Sequence, residues 1–224
     1  MAQFDRITVY NVMLEDGLIP LFYNKDAEKT KKVAEALVKG GARVLEFTNR
    51  GDLAIEVFSE LIKHSIREYP GLIVGVGSVI DTPTAALYIN YGANFIVGPS
   101  FNKETALLCN KRKVAYIPGA ATATEISIAE EFGAEIVKIF PAGAVGGPNF
   151  VKNILGPMPW SKLMPTGGVT AEERNIKEWF DGGAACIGMG SKLINSKSVS
   201  EGNYNEITSL TSKVLQIIKS VRKT

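Results

Sequence analysis

Histidine and cysteine are the scarcest reactive residues of this 224-residue chain, with one His and two Cys. Cys109 and Cys186 stand alone, without a CxxC pair, so neither a disulfide framework nor a zinc site has material to form. The single histidine, His64, excludes a His-ligated catalytic metal and a His-dependent triad anywhere else in the chain. Its setting, EVFSELIKHSIREYP, puts it on the polar flank of an amphipathic helix, where a solvated surface role is expected. No stretch approaches the roughly 18 uninterrupted apolar residues of a membrane span. Neither charge sign dominates: Lys+Arg 25 against Asp+Glu 23 leaves a formal +2, too balanced for a nucleic-acid binder. The start, MAQFDRITVYNVMLEDG, has Asp5, Glu15 and Asp16 where a signal peptide needs a basic end and an apolar run, so a cytoplasmic protein is expected. Any chemistry must therefore run on carboxylates, lysines, hydroxyls or backbone groups.

What the chain does hold is a core-forming composition, 46% hydrophobic and 21% charged, and a regular alternation. Short apolar runs at 17–23, 43–50, 72–79, 95–100, 114–120, 135–142, 162–169 and 185–191 read as eight strands. Between them apolar residues recur at three- and four-residue steps, most clearly Ala54, Val57, Phe58, Leu61 and Ile62, which predicts helices. Thr122 with Glu125 and Thr170 with Glu173 read as capping boxes, and Pro83 as a residue just inside a helix start. Gly-Ala recurs at Gly41, Gly92, Gly133 and Gly183, each where a helix yields to a strand, the place for a left-handed glycine. One βα unit per roughly 25 residues approaches the spacing of a ~250-residue eightfold barrel. The expectation is a single-domain α/β protein over 1–224, a (β/α)8 TIM barrel, with an extra N-terminal helix at 1–16 and a last helix at 203–222. An open doubly wound sheet is the alternative.

In such a barrel the active site lies at the carboxyl ends of the strands, so polar residues there need explaining. Val44, Glu46, Thr48 and Arg50 share one face of their strand, and Ile136, Lys138 and Phe140 share one face of theirs. A carboxylate on an inward face is costly unless paired or used. Desolvation disfavours an ammonium, so a sheltered Lys138 offers a neutral amine able to attack a carbonyl and form a Schiff base. Glu46 is then placed to move protons, and Arg50 presents a planar fork for a substrate carboxylate. A structural Glu46–Lys138 ion pair, or outward-facing side chains, is the competing reading. PTGGV (165–169) and GMGSK (188–192) end the last two strands, and glycine-rich turns there let backbone amides converge on a phosphate; ordinary turn chemistry is the alternative. GSV (77–79) sets Ser78 beside Arg50, with a local turn or cap hydrogen bond as the alternative.

The runs GGARVLEFTNR, VGVGSVI, IPGAATATE, VKIFPAG, MPTGGV and IGMGSKL, in this order, resemble the 2-keto-3-deoxy-6-phosphogluconate (KDPG) and 4-hydroxy-2-oxoglutarate (KHG) aldolases, from about Gly17 through the last helix. The resemblance implies a metal-free class I aldolase, usually a homotrimer, that needs no cofactor and takes a small keto acid, with neither nucleic acid nor membrane as partner. It implies cleavage of the phosphogluconate derivative to pyruvate and D-glyceraldehyde 3-phosphate, or of hydroxyoxoglutarate to pyruvate and glyoxylate. Position by position, Lys138 corresponds to the Schiff-base lysine and Glu46 to the general acid/base. Arg50 corresponds to the pyruvate carboxylate's arginine, and Ser78 stands where threonine is common. Pro99 and Phe140 match residues around the pyruvyl portion; Thr166, Gly167, Gly168, Gly190 and Ser191 match those holding the phosphate or distal end. Asn49, Ser100, Gly143 and Lys192 depart from the family pattern and are expected to line the far side of the pocket. Rival functions are a phosphate-binding barrel isomerase, decarboxylase or thiamine-type synthase, and a non-catalytic sugar-acid binder.

Overall fold

A computed structural model of the chain describes residues 2–222. Met1, Lys223 and Thr224 of the expected 1–224 domain lie outside the described residues. The elements run α1 (Arg6–Asp16), β1 (Leu18–Phe22), α2 (Ala27–Lys39), β2 (Val44–Thr48), α3 (Ala54–Glu68), β3 (Ile73–Gly77), α4 (Thr82–Asn90), β4 (Phe95–Val97), α5 (Lys103–Arg112), β5 (Ala115–Ile117), β6 (Gly119–Ala120), α6 (Ala123–Glu131), β7 (Val137–Ile139), α7 (Gly147–Leu155), β8 (Leu163–Pro165), α8 (Glu173–Asp181), β9 (Ile187–Met189), α9 (Ser196–Glu201) and α10 (Tyr204–Val221). Among the described residues no helix is long and apolar enough to cross a membrane.

Every strand pairing is parallel, and the strands form a curled sheet in two sections, β5-β4-β3-β2-β1-β9 and β6-β7-β8. At one junction the Ala185 amide donates to the Leu163 carbonyl (2.9 Å) and Thr166 bridges to Gly188. At the other, only Pro118 separates β5 from β6. Proline has no amide hydrogen, so the ladder lapses there. Its carbonyl still accepts from Lys138 N (2.8 Å), while Ile117 O accepts from Gly98 N (3.1 Å). The segment expected as one strand at 114–120 thus faces β4 with its first half and β7 with its second.

The two faces of the sheet are both covered, as parallel strands require. Leu45, Phe47, Val74, Val76, Val137 and Ile139 point outward into the layer beneath the helices. Ile19, Val44, Ile73, Phe95, Ile136 and Met164 point inward, where they meet Val9, Tyr10 and Met13 of α1. The Tyr10 hydroxyl donates to the Tyr116 carbonyl and accepts from its amide, each at 3.1 Å. Because Val44, Ile73 and Phe95 are the first residues of their strands, α1 packs at the amino ends and leaves the carboxyl ends open.

The helix signals fared unevenly. Gly41, Gly92, Gly133 and Gly183 all adopt positive φ between α-helix and strand, as their repeat predicts. Thr122 caps α6, its hydroxyl accepting from Glu125 N (3.2 Å) while the Glu125 carboxylate accepts from Ala121 N (2.8 Å). Pro83 sits in the first turn of α4 behind an Asp81 cap. The Thr170–Glu173 box does not form: α8 starts at Glu173 without a side-chain cap, and the Thr170 amide donates instead to Asn175 Oδ1 (2.8 Å).

Candidate active site

Strand alternation decides which side chains enter the open end. On β2, Leu45 and Phe47 belong to the outer layer, so Val44, Glu46 and Thr48 point inward; on β7, Val137 and Ile139 do the same for Lys138. Glu46 is 1% exposed and Lys138 5%. Both stand one step above the apolar floor of Val44 and Ile136, which carries no hydrogen-bonding group.

No protein donor reaches either oxygen of Glu46. Burial pushes its carboxyl above the usual carboxylate range, and the positive charges of Lys138 first, then Arg50, pull it partly back. The inward glutamate and lysine therefore feel one another across the sheltered end of the sheet, and the outward-facing alternative is excluded. No hydrogen-bonded Glu46–Lys138 ion pair forms. Room for the carboxylate comes from Gly77, whose strand neighbour is Thr48: a methyl added there would overlap Glu46 Oε1. Gly77→Ala is expected to cost about 1–3 kcal/mol of unfolding free energy, in the range of core overpacking. Denaturant titration checks this, and pairing the change with Glu46→Ala is expected to recover most of the loss.

Lys138 Nζ lies 5.1 Å from the centre of the Phe140 ring, which lies further along the same chain segment. Pro99 closes the neighbouring gap, its carbonyl lying so near Gly119 that any side chain there would strike it; Gly119 is the β6 partner of Lys138. Beyond β2 the exposed Arg50 donates from Nε to Ser78 Oγ (3.2 Å). Ser78 holds a left-handed φ of 61°, an uncommon state for a non-glycine residue and frequent at functional sites. The turn aims its hydroxyl at the guanidinium.

The glycine-rich ends of β8 and β9 flank this group. Ala142 N donates to Thr166 O (2.9 Å) and Gly143 N to Gly167 O (2.8 Å), tying the loop after Phe140 to the PTGGV turn. Gly167 and Gly168 are exposed with positive φ. Thr166 packs directly on Gly188, and its hydroxyl is buried without a protein partner. Gly190 and Ser191 join Arg50 in lining a cavity of about 410 Å³; Gly167 and Gly168 do not line it.

Thr48, on the face of β2 that Glu46 shares, also points toward the candidate site, and its sequence alone suggests no role. It is buried, points inward two residues after Glu46, and its hydroxyl has no protein partner. Asn49 departs from expectation: its Oδ1 accepts from the buried Tyr88 hydroxyl of α4 (2.9 Å), so its amide serves the helix layer rather than the pocket. Gly143 lets its loop approach Gly168, and Ser100 and Lys192 are exposed. His64 is only half-exposed, with Nε2 buried and the ring edge-on to Tyr69 at 5.7 Å. Tyr69, just past the end of α3, covers it.

Comparisons with known proteins converge on one family. A family model described as KDPG and KHG aldolase matches residues 9–210. The chain is 31% identical to a 2-dehydro-3-deoxy-phosphogluconate aldolase of Treponema pallidum, over 95% of this chain and 98% of that protein. It is 30% identical to a KHG/KDPG aldolase of Escherichia coli, over 92% and 94%. A crystal structure of KDPG aldolase from Legionella pneumophila, with pyruvate captured as a covalent carbinolamine intermediate, superposes with a TM-score of 0.83 at 31% identity, covering 91% and 96% of the two chains.

Proposed function

Since the chain belongs to the KDPG and KHG aldolase family, it is a carbon–carbon lyase, and we propose that it cleaves 2-dehydro-3-deoxy-6-phosphogluconate to pyruvate and D-glyceraldehyde 3-phosphate through a Schiff base on Lys138. 4-Hydroxy-2-oxoglutarate, cleaved to pyruvate and glyoxylate, is the second substrate of this reading; the name of the Escherichia coli relative supports it. The observation that carries the mechanism is the buried pair of inward side chains, Lys138 on β7 and Glu46 on β2, with neither Glu46 oxygen committed to a protein donor.

The reaction follows from those positions. Lys138 Nζ adds to the C2 ketone, and loss of water leaves an iminium. The bond between C3 and C4 then breaks, its electron pair moving toward the iminium nitrogen to give an enamine. Glu46, acting directly or through water, takes the C4 hydroxyl proton as the aldehyde forms and returns a proton to C3. Hydrolysis frees pyruvate and the amine. Arg50, aligned by Ser78, holds the keto-acid carboxylate in a bidentate grip. Phe140 and Pro99 wall the pyruvyl portion, and Thr166, Gly167, Gly168, Gly190 and Ser191 receive the distal phosphate.

The finer architecture belongs to the same reading. Counting β5 and β6 as one strand interrupted at Pro118 gives a ring of eight parallel strands, a (β/α)8 barrel in one domain whose amino end α1 plugs. A homotrimer accords with the exposed apolar side chains Leu53, Ile80 and Leu87, surface that a subunit contact would cover. A cytoplasmic setting accords with two buried, unpaired cysteines.

Borohydride reduction in the presence of pyruvate tests the proposal. Peptide mass spectrometry is expected to find the reduced pyruvyl group on Lys138. Folded protein left unlabelled, or labelled elsewhere, would favour the isomerase, decarboxylase or synthase chemistries that need no such amine.

A further inference from the structure

The cavity beside Arg50 holds a cation that the mechanism above does not use. Lys29, in the first turn of α2, lines it together with Arg50. Asn24, Ser191, Ser196 and Ser200 add neutral hydrogen-bonding groups from three separate segments, and neither Asp nor Glu lines it. Lys29 belongs to none of the ion pairs among the described residues, whereas Lys31 and Lys39 on the same helix are tied to Glu28 and Glu35. Two cations, several hydroxyls and no carboxylate make a receptor for an anion. Arg50 leads back to the keto-acid end, so a ligand whose carboxylate sits there and whose chain runs along the cavity brings its far end to Ser191 and Lys29.

We propose that Lys29 is a specificity-determining residue that binds the distal phosphate of the substrate, together with the Gly190–Ser191 turn, and so selects a phosphate-terminated 2-keto-3-deoxy sugar acid over its unphosphorylated counterpart. This inference rests on the aldolase reading given above. Lysine suits the task because a flexible point charge follows a rotating phosphate without demanding one geometry. The contact lies remote from the bond that breaks and persists throughout the reaction. It therefore contributes to KM rather than kcat.

The test compares wild type with Lys29→Met and Lys29→Arg. Lys29→Met is expected to raise KM for the phosphorylated acid by about 10- to 100-fold, the worth of one charged hydrogen-bond partner, with kcat unchanged. KM for the unphosphorylated acid is expected to stay put, and Lys29→Arg is expected to recover most of the loss. Binding of inorganic phosphate, followed by 31P line broadening, is expected to weaken in Lys29→Met and hold in Lys29→Arg. An equal rise in KM for both acids, or phosphate binding to Lys29→Met as tightly as to wild type, overturns the proposal. Pyruvate trapping on wild-type Lys138 reports separately on the aldolase chemistry: if trapping fails, that reading falls, and the phosphate titration still decides the role of Lys29.

Discussion

Lys138→Ala is expected to abolish aldol cleavage, lowering kcat/KM by at least about 10⁴-fold, because the covalent intermediate has no other amine to form on. The inner face of β7 and β2 offers one amine and one carboxylate, and a carboxylate alone cannot accept the electron pair released when the carbon–carbon bond breaks. The substitution is expected to leave the protein folded: it removes a buried amine that belongs to no ion pair among the described residues and trims a stem that packs beside Phe140. It also acts on Glu46, since the Lys138 charge is the larger of the two that draw its carboxyl down. Without it, Glu46 keeps its proton to still higher pH. Cleavage coupled to lactate dehydrogenase, alongside a thermal melt, checks both halves. Turnover near wild type in a folded variant removes the Schiff base from the mechanism, and a synthase or decarboxylase chemistry would then have to account for the pocket.

The sequence carried the order of the strands because parallel strands are buried on both faces and so read as short unbroken apolar runs. The polar exceptions in those runs then became legible: Glu46 and Lys138 interrupt them at inward positions, and the structure buries both. From spacing alone Ser78 fits either a place beside Arg50 or a local turn, and the Arg50–Ser78 hydrogen bond, set by the left-handed turn at Ser78, decides for the first. Local signals failed where a longer-range contact overrode them. The box at Thr170 satisfies its pattern, yet Asn175 claims the Thr170 amide and α8 begins later. Asn49 sits beside the site in sequence, but Tyr88 draws its side chain into the helix layer. The short α9, SKSVSE, has too few apolar residues to show a helical period. Lys29 is silent for a related reason: in sequence it is one polar residue of a lysine-rich helix, and only the fold shows that it lines the cavity while Lys31 and Lys39 of the same helix pair with glutamates.

Glu46→Gln separates proton transfer from covalent capture. The amide keeps the shape of the side chain but cannot exchange protons, so kcat for cleavage is expected to fall by about 10²–10⁴-fold. Borohydride is still expected to fix pyruvate to Lys138, since the amine itself is untouched. Stability moves the other way. Burial raises the carboxyl's affinity for its proton in the folded chain, so between the ordinary carboxylate range and the raised one the folded state binds more protons than the unfolded state. Stability contributed by this group therefore falls as pH rises through that window. Glutamine has no such proton to lose, and an amide is less costly to shelter from water than a carboxylate. The variant is expected to be no less stable than wild type at neutral pH, with a flatter dependence of unfolding free energy on pH. A residue held for structure alone would give the opposite pattern, with cleavage near wild type and a less stable fold, and that result would remove Glu46 from the chemistry.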